Sequence, residues 1–321
     1  MVIVSELGLT PGKSMRACED VQELRFNAQG LFGDREYMWV ETEPYTYKNH
    51  KPGQQVDTGR FLSQREDPVL TGFQPANVSG GLELRFRDED RLFVPKIPDT
   101  NDGRIPVSVW GWNGEAVDQG DEAAKWGQEY LKRPVRLVAL SDKRPRYVEN
   151  NPELGRLGFA DGFAVTVGST AAIQTINSYL ASSDRKPITA SRMRTTINLE
   201  GLEVPDEDFP EDFVKTITIA QDGITMVLER WKACSRCPIP DTDPKSGARS
   251  RETRIRPALG KLGRAGTHSD TVKYGNERGL FLAQNFIIRM PEDMPEGATI
   301  IISRGSEVQV EYSSGTNWVK R

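Results

Sequence analysis

Turn residues interrupt the first third of the chain so often that they constrain its fold more than any other feature. Thr10-Pro11-Gly12, the stretch from Gly30 to Asp34, Asp88-Glu89-Asp90 and Trp112-Asn113-Gly114 cut it into runs too short for packed helices. Between these turns Val2 to Leu9 and Glu36 to Val40 read as strands, Gly81 to Arg87 and Arg91 to Pro95 as a hairpin, and Pro106 to Trp110 as one arm of a further pair. Short strands without intervening helices favour a small β-barrel. The pattern changes at Asp121, placed to cap a helix with Ala123, Trp126, Gly127 and Tyr130 on one face, and Pro134 stops it. A domain boundary is expected there, dividing the chain into residues 1–120, residues 121–312 and a tail, 313–321.

The second part predicts a strand over Val135 to Leu140, then a strand over Ala164 to Val167 leading to Ser169. That serine is placed to cap a helix with Ala172, Ile173, Ile176 and Leu180 on one side. A hairpin, Lys215 to Ala220 and Thr225 to Glu229, turns at Asp222-Gly223, and Thr299 to Ser303 is expected to close a last hairpin. The expected class is mainly β with α+β character, and the chain beyond Val310 reads as disordered. At 321 residues there is room for two cores.

Composition narrows function by exclusion. A formal net charge of -4 and a sequence pI near 5.5 argue against a nucleic-acid binder. No run approaches the roughly 18 apolar residues of a membrane span, and Met1-Val2-Ile3-Val4-Ser5-Glu6 is no signal peptide. Three cysteines, an odd number without framework spacing, imply reduced thiols and a cytoplasmic setting.

Two of those cysteines stand together in Lys232-Ala233-Cys234-Ser235-Arg236-Cys237-Pro238. A zinc site would need Cys18, His50, His268 or carboxylates to complete it, which makes an all-cysteine site impossible. A thioredoxin-like pair would open a helix, and Pro238, Pro240 and Pro244 oppose one. A loop thiolate and a small buried cysteine without a role remain. Elsewhere Lys13-Ser14 follow the first strand at a turn; Leu7 stands where a P-loop needs its first glycine. Arg35 opens a strand with Asp34 as a local partner. Arg192 and Arg194, two apart at the start of a presumed strand, would project to one side and clamp a phosphate, or form an exposed polar face. The basic block Lys245 to Arg264 reads as a mobile loop.

The run Cys-x-Arg-Cys-x-x-Pro-x-x-Asp-Pro-x-x-Gly, from Cys234 to Gly247, resembles the signature of the MOSC (molybdenum cofactor sulfurase C-terminal) domain, with its amidoxime-reducing branch as the nearest match. Further matches come in the family's order: Lys13-Ser14, Gly33-Asp34-Arg35 with Val40, Phe61 to Glu66, Asp161 with Ser169, Arg194 and Gln284-Asn285. Ala164 replaces the family's proline, and Thr195-Thr196 replace its Pro-Asn, so a hydroxyl stands where the family has an amide. The resemblance implies an N-terminal MOSC barrel domain joined to a MOSC domain, with a molybdenum cofactor (molybdopterin) between them. It makes Cys237 the metal ligand, with Arg236 beside it to favour the thiolate, and Lys13, Ser14, Arg35, Arg194, Thr196 and Asn285 the residues around the cofactor. The activity implied is reduction of amidoximes and hydroxylamines; the alternative is a non-catalytic carrier of the cofactor or of sulfur. Electrons would come from outside, from cytochrome b5 with its flavin reductase or a ferredoxin-type protein, because the chain has too few cysteines for an iron–sulfur centre and no dinucleotide fingerprint. The basic block would dock that carrier. Family vocabulary also attaches pyridoxal phosphate binding.

Overall fold

The computed structural model describes residues 1–43, 59–274 and 277–320, so His50 lies outside the described residues. With 40% strand and 18% helix, the molecule is mainly β. Seven strands close a barrel: β1 (Val2–Leu7), β2 (Val165–Ser169), β3 (Ile197–Glu200), β4 (Val214–Gln221), β5 (Ile224–Ser235), β6 (Arg278–Arg289) and β7 (Glu307–Tyr312). Around the ring the order is β2, β3, β1, β7, β4, β5, β6, and β6 pairs back onto β2. Alternation in sequence makes these strands one-sided: Val214, Ile217 and Ile219 of β4 point inward between polar neighbours. The β4–β5 turn has positive φ at both Asp222 (51°) and Gly223 (79°), the geometry a two-residue hairpin of right-handed twist requires. The parallel pair β2–β3 is joined through the helix Thr170–Ser182, whose first turn is capped by Ser169 Oγ accepting from Ala172 N at 3.1 Å.

The other body has a four-stranded sheet in the order Tyr37–Glu41, Val135–Leu140, Trp112–Asp118, Arg104–Val109, and a meander of Phe73–Val78, Gly81–Phe86 and Asp90–Pro95. The helix Gly120–Leu131 buries Trp126 and Leu131 against Trp39, Phe73, Leu82 and Leu137. By packing, therefore, this first core runs past the boundary expected at residue 120, because the apolar faces of the helix and of Val135–Leu140 are covered by N-terminal strands. The chain also crosses the other way. β1 is a stave of the barrel, and Glu23–Asn27 pairs with Ile300–Ser303.

Four local expectations are corrected. Asp121 does not cap the helix; Gln119 occupies that position without a side-chain cap, and Asp121 accepts from Arg136 at 2.6 Å. Ile300–Ser303 finds its partner in Glu23–Asn27 rather than in an adjacent hairpin. The described chain beyond Val310 is ordered: Glu307–Tyr312 completes the barrel, and Trp318–Lys320 pairs with Ala265–His268 while Trp318 is buried. Between Lys245 and Arg264 the backbone is fixed by Asp241 Oδ1, which accepts from Ile255 N at 2.8 Å and Arg256 N at 2.9 Å, and by the short helix Arg256–Lys261.

Candidate functional site

Where β1 ends, the chain turns at Pro11-Gly12 and delivers Lys13 and Ser14 to the seam between the two bodies. Lys13 N donates to Tyr37 O at 2.6 Å, and its ammonium lies 4.3 Å from the centre of the Phe61 ring, with the side chain 4% exposed. Arg35 reaches the same seam from the next loop: its N donates to Thr10 O and its O accepts from Phe159 N, both at 2.7 Å. Gly158 permits that approach, since a Cβ there would stand 2.6 Å from Asp34 O. From the barrel side, the short helix Ala190–Met193 ends at Arg194, and the long hairpin β4–β5 carries Cys234. Ser14, Arg35 and Arg194 have φ of 61°, 50° and 55°, a left-handed conformation that costs a non-glycine residue about 1 kcal/mol or more and persists only where surrounding contacts enforce it.

These segments enclose a cavity of about 230 Å³ lined by Lys13, Ser14, Arg35, Arg194, Arg236, Cys237 and Asn285. Register shifts in the β5–β6 ladder, between Arg230 and Lys232 and between Ala233 and Ser235, accompany the turn of Lys232 and Cys234 toward it. Of the residues that the resemblance sets around the metal and the cofactor, Thr196 alone stays out of the lining. Its hydroxyl accepts from Thr166 N at 3.1 Å, so it holds the backbone of Thr166, which lines the cavity and donates to Asn285 Oδ1 at 3.2 Å.

Two geometric expectations fail. Arg236 does not attend Cys237: Nη1 lies 2.9 Å from Cys234 Sγ, and Nη2 donates to Met193 O. Arg194 and Arg249 are close enough to Cys237 for their charges to interact with it. Arg192 and Arg194 do not project together either, because they sit in and just after a helical turn, where two positions span roughly 200°, close to a half-cycle, and side chains leave on opposite sides. Arg192 instead pins the cysteine loop, donating to Pro240 O and Thr253 O at 2.8 Å each.

The lining holds six cations, Lys13, Arg35, Arg65, Arg194, Lys232 and Arg236, against two carboxylates, Asp161 and Glu277. Burial pushes Lys13 down to about 8 against the pull of Asp161, and burial with the neighbouring charge of Arg35 pushes Arg194 down to about 10. Lys13 and Arg65 hold Asp161 well below the usual carboxylate range. Asp161, Arg65, Lys232 and Glu277 were not read as site residues from sequence; ordinary charged residues in loops and on strands carry no local signal of shared space. A larger cleft of about 450 Å³ lies beyond Arg194 and shares that residue. Cys18 lines it, but its thiol is pushed up to about 11 by burial and donates to Pro75 O, a poor state for a ligand. Among the described residues no helix is long and apolar enough to cross a membrane.

Fold and site define a mainly β protein with a thiol-bearing, strongly cationic cavity between a barrel and a sheet body. Residues 1–134 match the MOSC N-terminal beta barrel domain. The chain is 25% identical over 262 residues to mitochondrial amidoxime-reducing component 1 of Xenopus laevis, covering 78% of this chain and 68% of that one, and 27% identical over 260 residues to its human counterpart with the same coverage. Molybdenum cofactor sulfurase of Danio rerio is 23% identical over 269 residues, covering 78% of this chain and 29% of the sulfurase. The chain thus carries a match to the MOSC N-terminal beta barrel domain over its first 134 residues and is homologous, at modest identity, to the mitochondrial amidoxime-reducing component proteins.

Proposed function

We propose that the cavity holds a phosphate-bearing pterin form of the molybdenum cofactor and that the protein uses it to reduce N-hydroxylated compounds. The observation that carries this reading is the convergence of Lys13, Ser14, Arg35, Arg194, Cys237 and Asn285 from distant segments on one cavity with four more cations than carboxylates. The donor set fits the group. Among the described residues no cluster of three or more His, Cys, Asp or Glu side chains is arranged to hold a metal ion, so a metal here has to arrive with most of its ligands and take one more from the protein. Cys237 would give that ligand, a soft sulfur donor on the cavity lining with Arg194 beside it. Arg35, Arg194 and Lys13 would hold the phosphate and Asn285 would orient the polar ring edge. The cofactor, when bound, supplies the two-electron chemistry that removes oxygen from nitrogen.

Cys237→Ala should abolish reduction of a benzamidoxime-type substrate and lower bound molybdenum, while Cys234→Ala only impairs both. Equal activity in the two variants would overturn the assignment. Electrons are proposed to come from an external carrier, a cytochrome b5-type protein with its reductase or a ferredoxin-type protein, and the three unpaired cysteines suit a reducing, cytoplasmic setting. Lys245, Arg251, Arg254 and Lys261 are exposed on one ordered segment beside the cysteine loop and offer that carrier a basic surface. Turnover should require carrier and reductase and slow as salt rises; turnover with NADH alone would sink the electron-supply proposal. The sulfurase relative favours a second reading, a carrier of the cofactor or of sulfur. Protein that purifies with cofactor but shows no turnover with a chemically reduced dye would favour that reading.

A further inference from the structure

We propose that Asp161 is a stand-in anion, occupying the cationic mouth of the cavity until a phosphate group replaces it. The inference rests on reading the cavity as an anion site. Three donors from three separate segments converge on this one carboxylate: the Lys13 ammonium and Trp110 Nε1, at 3.0 Å, on Oδ1, and Arg65 Nη2, at 2.6 Å, on Oδ2. A saturated carboxylate of this kind is ordinarily structural and deep. Asp161 is neither, with a side chain 46% exposed at the opening.

Its partners are better held than it is. Lys13 lies under the Phe61 ring, and the Arg65 guanidinium stacks on Trp110 at 4.4 Å. Trp110 in turn packs edge-on against Phe61 at 5.1 Å. Asp161 projects from a bend followed by Gly162, where an added Cβ would meet nothing within 4 Å, so there is space for the carboxylate to swing outward. The charges favour an exchange over a simple addition. With Asp161 in place, Lys13 and Arg65 share one carboxylate; if it left without replacement, Lys13 would be a buried cation without an ion-pair partner, which is costly. A phosphate bringing two or three acceptor oxygens to the same donors keeps them satisfied, and the displaced carboxylate is paid back by water at the mouth.

The test is calorimetric titration of the full-length, cofactor-free protein with inorganic phosphate. Asp161→Asn is expected to bind phosphate at least tenfold more tightly than the wild type, because the competitor has lost its charge. Equal or weaker binding by that variant, or no binding by either protein, overturns the proposal. A second measurement needs no variant at the aspartate. Phosphate should alter tryptophan emission of the wild type as the Trp110 indole loses its acceptor, and should not do so in Trp110→Phe; an unchanged wild-type spectrum at saturating phosphate also overturns it. Failure of the cofactor reading is seen separately, as full molybdenum and pterin content in Lys13→Ala.

Discussion

Two centres of positive charge lie back to back across β6, and they are built in opposite ways. On one face Asp212 accepts from Arg264 Nη1 at 2.7 Å and Nη2 at 3.0 Å, from Gln284 Nε2 at 2.7 Å and from Trp318 Nε1 at 3.0 Å. Arg264 is further sandwiched by Phe209 and Trp318, at 4.1 and 4.6 Å. On the other face the cavity crowds six cations around two carboxylates. Gln284 and Asn285 are adjacent in sequence, yet the first turns to the closed centre and the second to the open one, because successive side chains of a strand leave on opposite sides. A cation enclosed with its matching carboxylate stabilises the fold; cations that outnumber the carboxylates lining their cavity leave it suited to an anionic ligand.

Breaking the closed centre should have the largest effect. Asp212→Ala strands Arg264 in the interior and should cost about 3–5 kcal/mol of stability in a denaturant titration. A loss under about 1 kcal/mol would mean that the two centres do not differ as described. The open centre should respond inversely. Arg194→Ala should change stability by less than about 1 kcal/mol while costing about 1.5–3 kcal/mol of ligand binding, roughly tenfold to a hundredfold in affinity, read as molybdenum and pterin content; Arg35→Ala should cost as much in binding but more in stability, because it leaves the buried Asp34 without its ion-pair partner. Variants that unfold easily yet keep their cofactor would reverse the comparison.

The smallest effect sharpens it through pH. Glu211, beside Asp212 and fully buried, bonds Ser169 Oγ at 2.6 Å, and burial together with the negative charge of Asp212 pushes its carboxyl up from 4.5 to about 7. The folded protein then keeps a proton that the unfolded chain has released, so this group's contribution to stability falls as pH rises from about 4.5 to about 7 and is level above that. Glu211→Gln should flatten the stability profile over this interval, measured by denaturation at pH 5 and pH 7.5. A slope unchanged by the substitution would assign the titration elsewhere.

Sequence reading went furthest where the signal is local. The β4–β5 hairpin with its Asp-Gly turn, the Ser169 cap and the hairpin of Gly81–Phe86 with Asp90–Pro95 follow from alternation and turn chemistry within a few residues. It failed at Arg236 and Arg192, because where a long side chain in a loop or a single helical turn is directed depends on which distant carbonyls are free to accept. Met193 O takes one and Pro240 O the other. It also failed at the C-terminus, where Val310–Arg321 has no compelling local propensity. Strand pairing with Ala265–His268 and the Trp318 bond to Asp212 order the described part of it.

By itself, then, the sequence determined that the chain is mainly β, where its hairpins turn, and which cysteine motif and cationic residues accompany each other in order. Those depend on side-chain period, turn residues and residue type, all properties of short segments. Only the tertiary structure decided that β1 closes the barrel, that Cys237 and Arg194 line one cavity, and that Asp161 meets Lys13, Arg65 and Trp110 at one opening. The reason is physical: whether a charge is satisfied depends on how many acceptors the folded chain brings within hydrogen-bonding reach, a sum over segments far apart in sequence.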